Sequence, residues 1–228
     1  MMRVNCVVCA WIATLVAGTG TARAQSTAPV EGRFYAEVAA AATLGNKSDK
    51  SFGAEVGYRV ANSWEVFAEG GRMGNVGTDD LDARAQTIAN FIKGSASAVQ
   101  KANYFAIGVK YLGPAFLSTW RPYVGFGAGA AKVKTEVNFL VNGTDVTSQL
   151  PGGIPSLGIP AVELGNDLTD SLTKAFVTIP VGVTGTLAKR YVVDGSYRWG
   201  RMAPRPEDIH ADIAITAQRV QIGFGIRF

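Results

Sequence analysis

The last ten residues of the chain constrain its fold more than any other stretch. Val220, Ile222, Phe224, Ile226 and Phe228 fall on one side of an extended backbone, with Arg219, Gln221, Gly223, Gly225 and Arg227 on the other. A period of two is the mark of a β-strand with one apolar face. The pattern recurs at Phe105, Ile107, Val109 and Tyr111 against Tyr104, Gly108 and Lys110, and at Val124, Phe126, Ala128 and Ala130 against Gly125, Gly127 and Gly129. It recurs again at Val177, Ile179, Val181 and Val183, and at Tyr191, Val193, Tyr197 and Trp199 against Asp194, Ser196 and Arg198. Three weaker runs complete the set. Phe34, Ala36, Val38 and Ala40 oppose Tyr35 and Glu37; Phe52 to Val60 oppose Glu55, Gly57 and Arg59; Trp64, Val66 and Ala68 oppose Glu65, Phe67 and Glu69. Eight strands are predicted, each apolar on one face.

Those faces must be buried against each other or against lipid. Only 18% of the 228 residues are charged, against roughly 25% in ordinary soluble domains. The formal charge of +4 is small and evenly spread, which excludes a nucleic-acid footprint. Residues 1–24 read as a secretory signal: Arg3, an apolar run from Val7 to Gly18, then small residues ending in Ala22-Arg23-Ala24. The run is shorter than the roughly 20 residues a helical span requires. Cys6 and Cys9, the only 2 cysteines, both fall inside that leader, so the exported chain from residue 25 onward has no thiol for a disulfide or a zinc site. No second apolar stretch is long enough for a transmembrane helix, so any membrane crossing must be made by strands.

The connectors favour a membrane barrel over a soluble sandwich. Residues 61–63, 113–120 and 187–189 are short; residues 44–50, 74–102, 135–174 and 201–212 are longer, and the two sets alternate along the chain. A membrane barrel keeps short turns on the periplasmic side and long loops outside. Tyr58, Trp64, Tyr111, Trp120, Tyr191 and Phe228 all lie at the short-turn end, where they would form an interfacial girdle.

A signal peptide, eight amphipathic strands and the ending Val220-Gln221-Ile222-Gly223-Phe224-Gly225-Ile226-Arg227-Phe228 resemble the OmpA/OmpX-type outer-membrane barrels. The resemblance covers nearly all of residues 25–228. It implies an all-β fold, an eight-stranded antiparallel up-and-down transmembrane barrel with short helices in external loops, located in the outer membrane. It further implies that Phe224, Ile226 and Phe228 form the signal read by the barrel-insertion machinery, that periplasmic chaperones assist assembly, and that lipid and lipopolysaccharide surround the product. The two-domain members carry a peptidoglycan-binding domain after the barrel; this sequence stops at Phe228, so no cell-wall tether is expected.

An eight-stranded barrel is just wide enough for its own side chains to fill it. The inward parity predicts Glu37, Glu55, Glu65, Glu69 and Asp194 facing Arg59, Lys110, Arg198 and Arg219. An isolated buried charge costs several kcal/mol, so these groups must pair or stay wet. One reading is an ion-pair plug. The other is a narrow water path, helped by inward Gly57, Gly108, Gly125, Gly127, Gly129, Gly182 and Gly223, which contribute no bulk. Barrels of this size also include lipid A acyltransferases and deacylases, which use a histidine with a serine or acid partner. This chain has 1 histidine, His210, in an acidic external loop, and no His-x-Ser, so catalysis, metal and cofactors are not expected. The function that follows is structural or porin-like, with a lipid A-modifying enzyme and an adhesin or ligand-binding barrel as the alternatives.

Two loop helices are predicted. Leu81, Ala85, Ile88, Ile92 and Val99 recur at helical spacing between Asp79 and Val99, with Thr78 as N-cap and Asp79 and Asp80 in the first turn. A shorter candidate spans 161–172, with Val162, Leu168 and Leu172. Their apolar faces would either pack on the barrel rim or meet an extracellular ligand through loops 74–102 and 135–174.

Overall fold

A computed structural model describes residues 33–228 except 45–46, 118, 163, 165–167, 169–170 and 205–213. Residues 1–24, expected to form a leader, and His210 therefore lie outside the described residues. The strands are β1 (Phe34–Leu44), β2 (Asp49–Ala61), β3 (Trp64–Met73), β4 (Ser95–Leu112), β5 (Arg121–Val141), β6 (Thr144–Asp145), β7 (Ser171–Leu187), β8 (Tyr191–Met202) and β9 (Ile215–Arg227). The two residues of β6 only extend the end of β5, pairing at Leu140↔Asp145. The other eight run antiparallel in sequence order, and β9 returns to β1 through pairs such as Val38↔Phe224. Through β4–β5 and β1–β9 the eight-stranded sheet closes on itself.

The wall carries an apolar band whose limits can be read from registered neighbours. At the short-turn end Trp64 pairs with Tyr111, and Tyr111 with Val124. Eight residues higher on β3, Arg72 lies opposite Asn103, Asn103 opposite Lys132, and Lys132 opposite Thr173, all facing outward and exposed. Eight residues at ~3.3 Å each, tilted by about 40°, rise about 20 Å, close to the ~25 Å apolar band of an outer-membrane barrel.

Above that polar level the parity of β4 and β5 inverts. Within the band the outward residues of β5 are Val124, Phe126, Ala128 and Ala130; beyond it they are Lys132, Lys134, Glu136 and Asn138, while the inward Val133, Val137, Phe139 and Val141 become buried. Water has replaced lipid on the outside, so the apolar side turns in. Strand β3 last meets β4 at Met73↔Ala102, and β7 last meets β5 at Lys134↔Ser171. The outer ends of β4 and β5 therefore project as a two-stranded ribbon. Such a ribbon is marginal alone and needs a cover.

Helix α1 (Asp79–Phe91) supplies part of that cover. The Thr78 hydroxyl accepts from the Leu81 amide at 3.3 Å, and Asp79, Asp80 and Asp82 occupy the positive first turn. Leu81, Ala85, Ala89 and Ile92 pack with Ala98, Val137 and Phe139 of the ribbon and with Val146, Leu150, Ile154, Ile159 and Leu168 of the following segment. Lys47 fastens the first loop to this cap, donating to Asp82 at 2.7 Å and to the Ala98 carbonyl at 2.9 Å.

Three expectations change here. The helix stops at Phe91 and does not reach Val99, which belongs to β4. Lys93 at φ 54° reverses the chain, and the Gly94 amide donates to the Ala89 carbonyl at 2.8 Å, a Schellman stop. The loops drawn as 74–102 and 135–174 shorten accordingly, since β4 begins at Ser95 and β5 runs to Val141. Of the helix expected over 161–172, much lies outside the described residues. Leu172 is in β7, and the segment before it holds 3-10 turns at Thr147–Gly152 and Pro155–Leu157.

Candidate functional site: the barrel interior

The inward parity delivers every one of the nine ionisable residues singled out above to the interior. Glu37, Glu55, Glu65, Glu69, Lys110, Asp194, Arg198 and Arg219 are buried, and the Arg59 side chain is 11% exposed. They are not spread evenly; they fall into layers.

The middle layer is centred on Arg198 of β8, which has no exposed surface. Its guanidinium donates to Glu55 of β2 at 2.8 Å and to Glu69 of β3. The second oxygen of Glu55 receives both the Lys110 ammonium and the Tyr35 hydroxyl. Lys110 also lies 4.7 Å from the centroid of the Tyr123 ring and 5.1 Å from that of Phe67, so its charge is held by a carboxylate and by aromatic faces. Asp194 accepts from Tyr123 at 3.0 Å and from Ser196 at 2.9 Å. Toward the outer end Arg219 approaches Glu69 at 3.7 Å, donates to the Tyr104 hydroxyl, and lies 4.3 Å from that ring's centroid. Glu37 stands apart, because its Oε1 is buried without a hydrogen-bond partner among the described residues.

The lower layer, at the short-turn mouth, joins Arg59 and Glu65 at 3.4 Å, directly across the β2–β3 pair. Arg227, absent from the nine, reaches the same Glu65 oxygen at 3.7 Å. Tyr35, Phe67, Tyr104 and Tyr123 are also buried in the interior. Their parity marks Tyr35, Phe67 and Tyr104 as inward, opposite the apolar faces.

Those rings account for some of the inward glycines. A Cβ on Gly57 would sit 2.1 Å from Tyr35 Cε1, one on Gly127 would sit 3.0 Å from the Phe67 ring, and one on Gly53 would sit 3.0 Å from the Tyr104 hydroxyl. At Gly57 and Gly127 glycine makes room for a neighbour's ring. Gly108 is closed by backbone too, since its Cβ would fall 2.2 Å from the Phe126 carbonyl oxygen.

On the outer surface Trp64 and Tyr111 meet edge-on at 5.3 Å, Tyr58 tilts against Phe34 at 4.6 Å, and Tyr191 stacks on Phe224 at 6.0 Å. Trp120 lies over Gly185. Phe224, Ile226 and Phe228 face outward and are exposed. On the projecting ribbon, hydrogen bonds from Lys101, then Lys134, hold the exposed Glu136 carboxyl below its ordinary range. No cluster of His, Cys, Asp or Glu suited to a metal occurs among the described residues, and no described helix is long and apolar enough to cross a membrane.

A closed antiparallel wall of eight strands, apolar outside and ionic within, defines a transmembrane β-barrel. The chain belongs to the outer membrane protein beta-barrel domain family, whose model matches residues 12–228. Among solved structures it is similar to Neisserial surface protein A, at 14% identity and a TM-score of 0.48 over 86% of this chain and 96% of that one. It is also similar to the N-terminal barrel of Pseudomonas aeruginosa OprF, at 12% identity and a TM-score of 0.49 over 87% of this chain and 100% of that one. A third likeness, to Yersinia pestis Ail, has 16% identity and a TM-score of 0.44 over 87% of this chain and 99% of that one. No curated protein sequence matches the chain.

Proposed function

We propose that residues 1–24 export this chain, that Phe224, Ile226 and Phe228 direct its insertion, and that the mature barrel serves in the outer membrane as a closed structural element with an outward interaction surface. The observation that carries this reading is Arg198, wholly buried and shared between Glu55 and Glu69. A guanidinium tied to two strands across the interior obstructs the axis and neutralises it. Lys110 on one side and Arg219 on the other extend the same obstruction.

The outer boundary fits a lipopolysaccharide leaflet, since Arg72 and Lys132 face outward at the level where the apolar band ends. The capped ribbon is the surface offered to an extracellular partner. Phe91 of α1 and Leu157 stay exposed there although the rest of the cap is packed. The reading gives no catalytic role to any residue and needs no cofactor.

Planar-bilayer recording of the refolded chain tests it. Wild type is expected to show no discrete openings at any holding potential. Recurrent single-channel steps, altered in size by Glu69→Ala, would overturn the closed barrel in favour of a pore.

A further inference from the structure

We propose that the short-turn mouth of the barrel binds a phosphate-class oxyanion between Arg59 and Arg227. This goes beyond the structural reading and does not depend on whether the lumen conducts. Arg59, Arg121 and Arg227 lie within electrostatic reach of one another around one carboxylate, Glu65. Arg59 and Arg227 approach the same Glu65 oxygen at 3.4 and 3.7 Å, distances that leave both loosely held. Arg121 is committed elsewhere, donating to the Gly113, Asn62 and Leu112 carbonyls at 2.9, 2.6 and 3.3 Å, where it ties two short turns together. Its charge nevertheless remains at the mouth.

The donors left over point to a ligand. Nε of Arg59, and Nε and Nη1 of Arg227, are buried with no hydrogen-bond partner among the described residues, and Arg227 is only 6% exposed. A buried guanidinium with two unpartnered donor nitrogens is costly. A tetrahedral oxyanion accepts a guanidinium fork in bidentate fashion and offsets the repulsion among three cations. A cleft of about 700 Å³ opens beside Arg227 at the same mouth, bounded also by Lys189 and Arg190. Those two further cations suit a phosphorylated ligand, either free in the periplasm or carried on a lipid headgroup of the inner leaflet.

Calorimetric titration of the refolded mature chain with pyrophosphate, at constant ionic strength, tests the site. Saturable binding is expected, weakened about tenfold or more by Arg59→Gln and strengthened about threefold or more by Glu65→Gln, which removes the competing carboxylate. Opposite signs at adjacent positions cannot come from loss of fold. In nanodiscs, native mass spectrometry compares retention of phosphatidylglycerol with phosphatidylcholine. Arg59-dependent retention of phosphatidylglycerol without pyrophosphate binding identifies the lipid as the source and upholds the site. Failure of both ligands to bind, or binding indifferent to both substitutions, overturns it.

Discussion

Replacing Arg198 by methionine is expected to lower the unfolding free energy of the barrel by roughly 3–5 kcal/mol, the usual cost of removing one partner from a buried ion pair. Methionine retains much of the stem's volume, so the loss reports the charge. Glu55 would keep Lys110 and the Tyr35 hydroxyl, but Glu69 would be left with Arg219 alone, at 3.7 Å. The double variant Arg198→Met with Glu69→Gln is therefore expected to recover part of the loss, because it removes the carboxylate stranded by the first change. Urea titration of the chain folded into lipid vesicles measures both. A loss under about 1 kcal/mol for Arg198→Met would mean that water solvates the interior carboxylates, and the closed interior would not stand.

Phe139→Ala is expected to act as strongly, but elsewhere. Phe139 is completely buried at the centre of the outer cap, beyond the level of Lys132 where the wall leaves the lipid. Truncating a buried phenylalanine costs about 3–5 kcal/mol. Here that energy holds α1 to the ribbon, so the change should fall on local opening. Amide exchange in α1 and in the outer ends of β4 and β5 is expected to accelerate about 10²-fold or more, while exchange in β1, β8 and β9 stays unchanged. Uniform acceleration through the barrel would show that the cap and the wall form one cooperative unit.

The strands were legible because a bilayer imposes one rule on every residue of the wall. Period-two alternation from Phe34 to Phe228 marks which side meets lipid, and the same parity carries Glu55, Glu69, Lys110 and Arg198 to the interior without any need to know their partners. The outer halves of β4 and β5 escaped that rule. Above Asn103 and Lys132 the outside is water, so Lys134, Glu136 and Asn138 face out and Val137 and Phe139 face in. Read with the membrane's parity, that inverted segment resembles a loop. The end of α1 was hidden for a different reason: Lys93 takes the left-handed position where glycine is the common signal, and Gly94 comes one residue later. At the interior site Arg227 brings the bases level with the five acids, but its place in the terminal strand beside Phe224, Ile226 and Phe228 gives it no separate signal. A glycine's emptiness is local; only the register shows that Tyr35 and Phe67 occupy the space beside Gly57 and Gly127.

Depth labelling along β5 tests the central claim most directly. Residues 25–228 contain no cysteine, so single cysteines introduced into a chain that begins at residue 25 can be labelled cleanly. With fluorophores in turn at Phe126, Ala128, Ala130, Lys132 and Lys134, quenching by brominated acyl chains is predicted to be strong through Ala130. It should fall sharply at Lys132, where aqueous iodide takes over as the quencher. Equal access of iodide to all five positions would show that this face does not meet lipid, and the account of the wall, its boundary and its ionic interior would fail together.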